Sequence, residues 1–352
     1  MPSATAETAQ SQSLRRFFRQ HFPGRSGIGS VLAIRTHSPE ALESFPPADV
    51  CCLQTHRLLA DDLERHGFQV GNHANGPFDL CVIEATKHKD ENLFHLALGW
   101  SSLRPGGHLI LSAANALGGE SLAKRISAAP LPIQGAWSLA KCRVLWLTRE
   151  AEGPLPDAIR TWLALGDYRL IPGTDLYGCP GIFSAHALDT GTRLLCESLP
   201  FPLAGHGADF GAGYGALCRH ILTQSERVRR LDLYDVEHKA LTAAALNLAP
   251  FRERCEIHYH WADVPSGVSG QRFDWIVMNP PFHAGRASLP GLGRAFIDAA
   301  VANLKTDGTL WLVANRHLPY EAVLTERFAE TAKLCEKNGF KVCRASRPKR
   351  PR

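Results

Sequence analysis

One phrase of the sequence is written twice, and it constrains the fold more than any other feature. In the first half, Phe78-Asp79-Leu80-Cys81-Val82-Ile83 reads as an apolar strand, residues 91–103 as an amphipathic helix, and Arg104-Pro105-Gly106-Gly107 as a turn. Leu109-Ile110-Leu111 follows as a second strand, ending at Ala114-Asn115. The second half repeats the order with strand Phe273-Asp274-Trp275-Ile276-Val277-Met278, helix 293–304, turn Lys305-Thr306-Asp307-Gly308, strand Leu310-Trp311-Leu312-Val313 and again Ala314-Asn315. Strands separated by crossover-length helices build parallel sheets covered on both faces. The repeat therefore predicts an α/β chain of two tandem Rossmann-like domains with open, mostly parallel sheets. Duplication of one unit explains it, and convergence of two halves on one grammar is the alternative.

The 352 residues suffice for two ordinary domains. In the first, Val31-Leu32-Ala33-Ile34 reads as a strand, residues 55–66 as a helix and Arg143-Val144-Leu145-Trp146-Leu147 as the last strand. Gly153, Pro154 and Pro156 mark a linker. The expected division is 1–150, a linker over 151–170, and 171–352. Residues 334–344 turn back at Asn338-Gly339, which predicts a hairpin and an antiparallel last strand.

The two copies differ where chemistry would sit. The second runs from its strand into Asn279-Pro280-Pro281-Phe282, where the first has Glu84-Ala85-Thr86-Lys87. Paired prolines stop a strand or helix and bias the preceding residue toward extended angles. The result is a stiff arm bearing a carboxamide, a backbone carbonyl and an aromatic ring. The Asn279 side-chain oxygen and the Pro280 carbonyl can accept both hydrogens of an exocyclic amine on a planar base, while Phe282 covers the ring. A loop merely punctuated by prolines is the plain alternative. In the first copy Gly27 and Gly29 precede their strand, so no ligand-cradling turn follows it. That copy is expected to be degenerate and non-catalytic.

Upstream of the arm, Ala208-Asp209-Phe210 enters Gly211-Ala212-Gly213-Tyr214-Gly215, and a helix over 216–224 leaves it. Glycines allow a tight turn and close approach of backbone to ligand. The spacing differs from the dinucleotide fingerprint, and Asp209 suits a cofactor with a cationic end better than a pyrophosphate. Asp235 ends the next strand, about twenty residues on, where an acid takes ribose hydroxyls. Asp263 follows the third strand and can accept from an adenine amino group. Earlier, in Leu188-Asp189-Thr190-Gly191-Thr192, Thr190 or Thr192 is expected to cap a helix running to Leu199.

Together these stretches resemble the class I S-adenosylmethionine methyltransferases. More narrowly, Pro180-Gly181-Ile182-Phe183-Ser184, the Leu188–Thr192 stretch, Asn279 to His283 and Ala314-Asn315-Arg316-His317-Leu318-Pro319-Tyr320 resemble the bacterial ribosomal-RNA guanine-N2 methyltransferases of the RsmC/RlmG group. The glycine-turn letters depart from the commoner Asp-Leu-Gly-Cys-Gly-x-Gly in two places. The resemblance is strong over 180–347 and weak before it. It implies S-adenosylmethionine held by Phe183, Asp189, Gly191, Thr192, Asp209, Gly211, Gly213, Gly215, Asp235, Asp263 and Asn279. It implies chemistry on Asn279, Pro280 and Phe282, and substrate contacts from Pro281, Phe282, His283 and Arg316. The substrate implied is the N2 amine of a guanine in ribosomal RNA, small-subunit by first choice. A large-subunit guanine, adenine N6, a protein glutamine, or a non-catalytic ribosome-assembly role remain alternatives.

Charge and composition narrow the partners. The net charge is +5, with Lys341, Arg344, Arg347, Lys349, Arg350 and Arg352 in an acid-free tail and Arg15, Arg16 and Arg19 near the start. Such ends suit a nucleic-acid backbone, or are simply solvated. No apolar run approaches a membrane span, and residues 1–12 lack the apolar core of a secretory signal. Ten scattered cysteines and sixteen histidines show no ligand spacing, so no metal is expected. The expectation is a cytoplasmic monomer that meets ribosomal RNA or a ribosomal subunit.

Overall fold

The structure is a computed structural model that describes residues 8–22, 27–150, 153–268, 270, 272–281, 283–284, 287–288 and 290–349. The chain divides into two compact units, 1–167 and 168–352. The strands of the first are β1 (Val31–Ile34), β2 (Val50–Leu53), β3 (Gln69–Gly71), β4 (Phe78–Glu84), β5 (Leu103–Ala114), β6 (Ile133–Leu139) and β7 (Cys142–Thr148). Its helices are α1 (Ala9–His21), α2 (Arg57–Arg65), α3 (Lys89–Ser101), α4 (Gly119–Ser127) and α5 (Asp157–Leu163). The second unit begins with a small antiparallel pair, β8 (Arg169–Leu170) and β9 (Tyr177–Gly178), and α6 (Thr190–Ser198). It continues through β10 (Ala204–Phe210), α7 (Ala216–Gln224), β11 (Arg227–Asp235), α8 (His238–Asn247), β12 (Glu256–Trp261) and β13 (Phe273–Met278). A short hairpin, β14 (His283–Ala284) with β15 (Ala287–Ser288), precedes α9 (Pro290–Asn303), β16 (Leu304–Asn315), α10 (Tyr320–Arg327), β17 (Phe328–Lys337) and β18 (Phe340–Pro348).

The two large sheets have one topology. The first runs β3-β2-β1-β4-β5-β7-β6 and the second β12-β11-β10-β13-β16-β18-β17, parallel except for the hairpin at the end. The likeness extends to side chains. Asp79 accepts the Gly29 and Ser30 N–H groups at 2.8 and 2.9 Å, and its counterpart Asp274 accepts the His206 N–H at 2.8 Å. Arg104 pairs with Asp79 at 3.0 Å as Lys305 pairs with Asp274 at 2.7 Å. The register slips at matching points, between Phe78 and Leu80 and between Phe273 and Trp275. Such shared irregularities agree with duplication, since convergence on a sheet order does not require them.

Each sheet is buried on both faces. In the second unit, Leu195 of α6, Ile221 of α7 and Ala244 of α8 pack on one face, and Ile297 of α9 with Leu324 of α10 on the other. The order of strands reverses between β10 and β13, so both strand ends there open onto one crevice. Phe210 is paired with Met278, which brings the glycine turn and the Asn279 arm out of the sheet side by side.

Three expectations need correction. Residues 151–170 are not a plain linker, because Ile159 and Trp162 of α5 are buried in the first unit's core and extend that unit to Asp167. The basic stretch read as a tail is largely strand. Residues up to Pro348 form β18, an inner strand between β16 and β17, where Lys341 is buried on Glu321 at 2.5 Å and Arg347 pairs with Glu330 at 2.8 Å. Arg350 and Arg352 lie outside the described residues. The helix 190–198 is capped by Asp189, whose carboxylate accepts the Thr192 N–H at 2.8 Å, rather than by a threonine.

Candidate active site

The crevice beside the β10–β13 switch is lined by Phe183, Asp189, Thr192, Gly211, Ala212, Gly213, Tyr214, Ala216, Leu217 and Asn279. The backbone reason is the turn itself. Gly211, Gly213 and Gly215 take φ of +81°, +54° and +79°, the left-handed region that side chains disfavour. A Cβ at Gly213 would have no neighbour within 4 Å, so that backbone faces open space. A Cβ at Gly215 would lie 3.1 Å from that of Ala244, so this glycine serves the packing of α7 on α8. Gly191 is likewise a packing glycine, its Cβ position 3.0 Å from the Phe340 ring.

Asp235 clasps the turn. One carboxylate oxygen accepts the Gly213 N–H and the other the Glu237 N–H, both at 2.8 Å. Burial nevertheless pushes its pKa up to about 6. Asp209 is fully buried at the end of β10. One oxygen accepts the Cys218 thiol at 3.2 Å and the other has no partner, and burial pushes the group up to about 7. Asp263 caps the short turn Val264–Ser266 through the Ser266 N–H and does not line the crevice. All three acids read from sequence as ligand acceptors thus have their described hydrogen bonds within the protein, and Asp235 and Asp263 use theirs to shape loops.

The arm is held by α6. Asn279 donates through Nδ2 to the Asp189 carboxylate and to the Thr192 hydroxyl, each at 2.9 Å. Pro280 is buried and Pro281 exposed. Phe282 lies outside the described residues, as does the side chain of His283. Arg316 is exposed past the end of β16, its Nε donating to His317. Phe183 is 65% exposed at the crevice wall, unusual for a phenylalanine without a ligand to cover it. Sequence reading missed Tyr214, whose carbonyl accepts from Asn247 at 2.8 Å, and it missed the bond between Asp189 and Asn279. The only sequence sign of the latter was a capping-type residue at the start of α6. Among the described residues no group of three or more histidines, cysteines or acids could hold a metal, and no helix is long and apolar enough to cross a membrane.

The crevice fits a cofactor with an adenosyl and an amino-acid end: a glycine backbone facing open space, an exposed aromatic wall and a buried, half-unpartnered acid. A doubly wound sheet with this turn at its switch point and an Asn-Pro-Pro arm beside it defines a class, the α/β methyltransferases. Residues 173–344 match the family model of the methyltransferase small domain. The ribosomal RNA small subunit methyltransferase C of Shewanella pealeana is 30% identical over 314 residues, 88% of this chain and 86% of that protein. The enzyme of the same name from Escherichia coli O1:K1 is 34% identical over 267 residues, 76% of this chain and 75% of its own length. In structure, the T. thermophilus 16S rRNA N2 methyltransferase, solved in complex with AdoMet and guanosine, superposes with a TM-score of 0.76 at 25% identity, covering 97% of this chain and 92% of that one. The chain belongs to the ribosomal RNA small subunit methyltransferase C family.

Proposed function

We propose that the second unit transfers the methyl group of S-adenosylmethionine to the exocyclic N2 amine of a guanine in small-subunit ribosomal RNA. The observation that carries this reading is the pairing of Phe210 with Met278, which sets a glycine turn facing open space beside an arm of hydrogen-bond acceptors. Family membership and the likeness to the T. thermophilus enzyme support the substrate class.

Gly211, Ala212 and Gly213 would hold the cofactor through backbone, with Phe183 covering it and Thr192 at its side. Asp235 keeps a second lone pair on each oxygen for ribose hydroxyls. Asp209 supplies the unpartnered acid behind the turn. When bound, S-adenosylmethionine supplies an electrophilic methyl on a sulfonium. The chain's own residues supply position and electrostatics. Guanine N2 is nearly non-basic, because its lone pair is delocalised into the ring. Asn279 Oδ1 and the Pro280 carbonyl accept its two hydrogens and stabilise positive charge as the nitrogen–carbon bond forms. The surplus proton then leaves to solvent, so no dedicated base is required. Phe282 stacks on a base swung out of its helix, with Pro281, His283 and Arg316 on the RNA side.

The first unit is the degenerate copy and helps to hold RNA. The enzyme works as a cytoplasmic monomer, without a metal. The test uses labelled S-adenosylmethionine with small and large ribosomal subunits from a strain lacking the modification. Label in small-subunit rRNA is expected. Label confined to large-subunit rRNA or to ribosomal protein would overturn the assignment.

A further inference from the structure

A carboxamide has a donor end and an acceptor end of nearly equal size, and which end faces the crevice decides what it can bind. Resting on the function proposed above, we propose that Asp189 and Thr192 are positioning residues that fix this choice for Asn279. They restrict the site to substrates whose edge brings N–H donors, and reject a planar edge that brings a carbonyl.

The hydrogen bonds leave one arrangement. Asp189 Oδ2 already accepts the Thr192 N–H at 2.8 Å, and an ionised carboxylate can only accept, so the group 2.9 Å away must be the Asn279 amide nitrogen. The second hydrogen of that nitrogen goes to Thr192 Oγ1, also at 2.9 Å. Both donors are consumed inside the protein, and only Oδ1 remains for substrate. Neither end of this bridge is loose. Asp189 caps α6, whose Leu195 is fully buried, and Asn279 follows Met278, also fully buried.

The first unit contains the same bridge with its polarity reversed. Thr8 caps α1 and accepts the Ser11 N–H at 3.1 Å, as Asp189 does for Thr192. Glu84 stands where Asn279 stands, since Ile83 pairs with Ile34 as Met278 pairs with Phe210. Here Ser11 Oγ donates to Glu84 Oε1 at 3.1 Å and Thr8 Oγ1 to Oε2 at 3.4 Å. In one copy an acid on the helix holds an amide on the arm. In the other, hydroxyls on the helix hold an acid on the arm. The two copies solve one constraint in opposite ways, which marks the bridge as a built feature of the unit.

Asn279→Asp tests this in two backgrounds. Alone, it sets two carboxylates within bonding distance, and such a pair cannot both ionise. The shared proton is bound below the pair's raised pKa and lost above it. Methyl transfer by Asn279→Asp should therefore be poor near about pH 8 and recover toward about pH 6. Adding Asp189→Thr, which copies the first unit, should raise the rate at about pH 8 by roughly tenfold and flatten the profile. The Tyr214 phenol, which burial and the Asp189 charge push up to about 12, faces the pair, and beside Tyr214 lies the Cys196 thiol, which burial and the Asp209 charge push up to about 12. Asp209, pushed up to about 7 by burial, titrates nearby but is unchanged in both backgrounds, so it cancels. Asp189→Thr alone should lower kcat by a larger factor than it weakens S-adenosylmethionine binding. Thermal midpoints, read without substrate, should show Asp189→Thr restoring at high pH what Asn279→Asp loses. Asp189→Ser replaces Asp189→Thr should the latter not fold. Identical pH profiles in both backgrounds, or cofactor affinity falling in step with activity in Asp189→Thr, would overturn the proposal. Coupled midpoints in a protein that modifies no guanine would instead sink only the functional reading.

Discussion

Three alanine substitutions in the glycine turn should separate folding from binding. Each puts a Cβ on a residue in the left-handed region, which costs about 1–2 kcal/mol. The surroundings then set the order. Gly213→Ala meets nothing within 4 Å and has the lowest of the three φ values, +54°, where alanine is least strained. Gly211→Ala meets the Phe296 ring at 3.7 Å and the Asn279 carbonyl at 3.9 Å, both ordinary contacts. Gly215→Ala must push the Ala244 methyl from 3.1 Å, moving α8 against α7. Thermal midpoints should therefore fall least for Gly213→Ala, by about 2–4 °C for each kcal/mol, and most for Gly215→Ala. Affinity for S-adenosylmethionine should follow the opposite order. The Gly213 methyl would enter the space assigned to the ligand and weaken binding by roughly tenfold or more, about 1.4 kcal/mol. Gly215→Ala should leave the affinity of the folded fraction near wild type. Calorimetry paired with thermal melts reads both quantities. A folded Gly213→Ala protein with unchanged affinity would refute the placement of the cofactor on this turn.

Asp209→Asn should stabilise the ligand-free protein near about pH 8 and do so less near about pH 5. An acid whose pKa is raised on folding binds more protons folded than unfolded, so its stability contribution falls as pH rises from the unfolded value of about 4 to about 7. Melts showing a pH-independent difference would contradict the burial argument. Phe183→Ala, at an exposed position, should leave the midpoint unchanged and weaken cofactor binding severalfold, since the ring is covered only when ligand is present. Titration should find one S-adenosylmethionine per chain. In the first unit the place of Gly211 to Gly213 is taken by Arg35, Thr36 and His37, and the His37 ring lies 2.7 Å from Glu84. A second site in the full-length protein would refute the reading of a degenerate copy.

Much of this was legible in the sequence because it is written locally. The repeated strand, helix and turn announced the doubled fold, and the glycines and prolines announced the turn and the arm. What escaped depends on neighbours distant in sequence. β2 holds the adjacent Cys51 and Cys52 in a four-residue run that periodicity cannot separate from a loop. Asp189, Thr190 and Thr192 all qualify as caps, and only the packed helix shows that the carboxylate is used. Beyond the hairpin read over 334–344, the basic C-terminal stretch was read by its charge. In the fold it continues β18 to Pro348, with Val342, Cys343 and Ala345 buried and Arg344 and Arg347 exposed. Asp235 stands where a ribose-binding acid was expected, but its two backbone bonds come from residues that only the folded turn brings to it.

The most direct measurement is nucleoside mass spectrometry of small-subunit rRNA treated with wild-type protein and with Asn279→Ala. Asn279→Ala removes the side-chain acceptor and leaves the glycine turn intact, so its cofactor affinity, measured alongside, should be nearly unchanged. Wild-type protein should convert one guanine to N2-methylguanosine, and Asn279→Ala should be slower by about a hundredfold or more, the scale of losing one positioned transition-state hydrogen bond. N2-methylguanosine formed by Asn279→Ala at near wild-type rate would contradict the account and move the chemistry away from this arm.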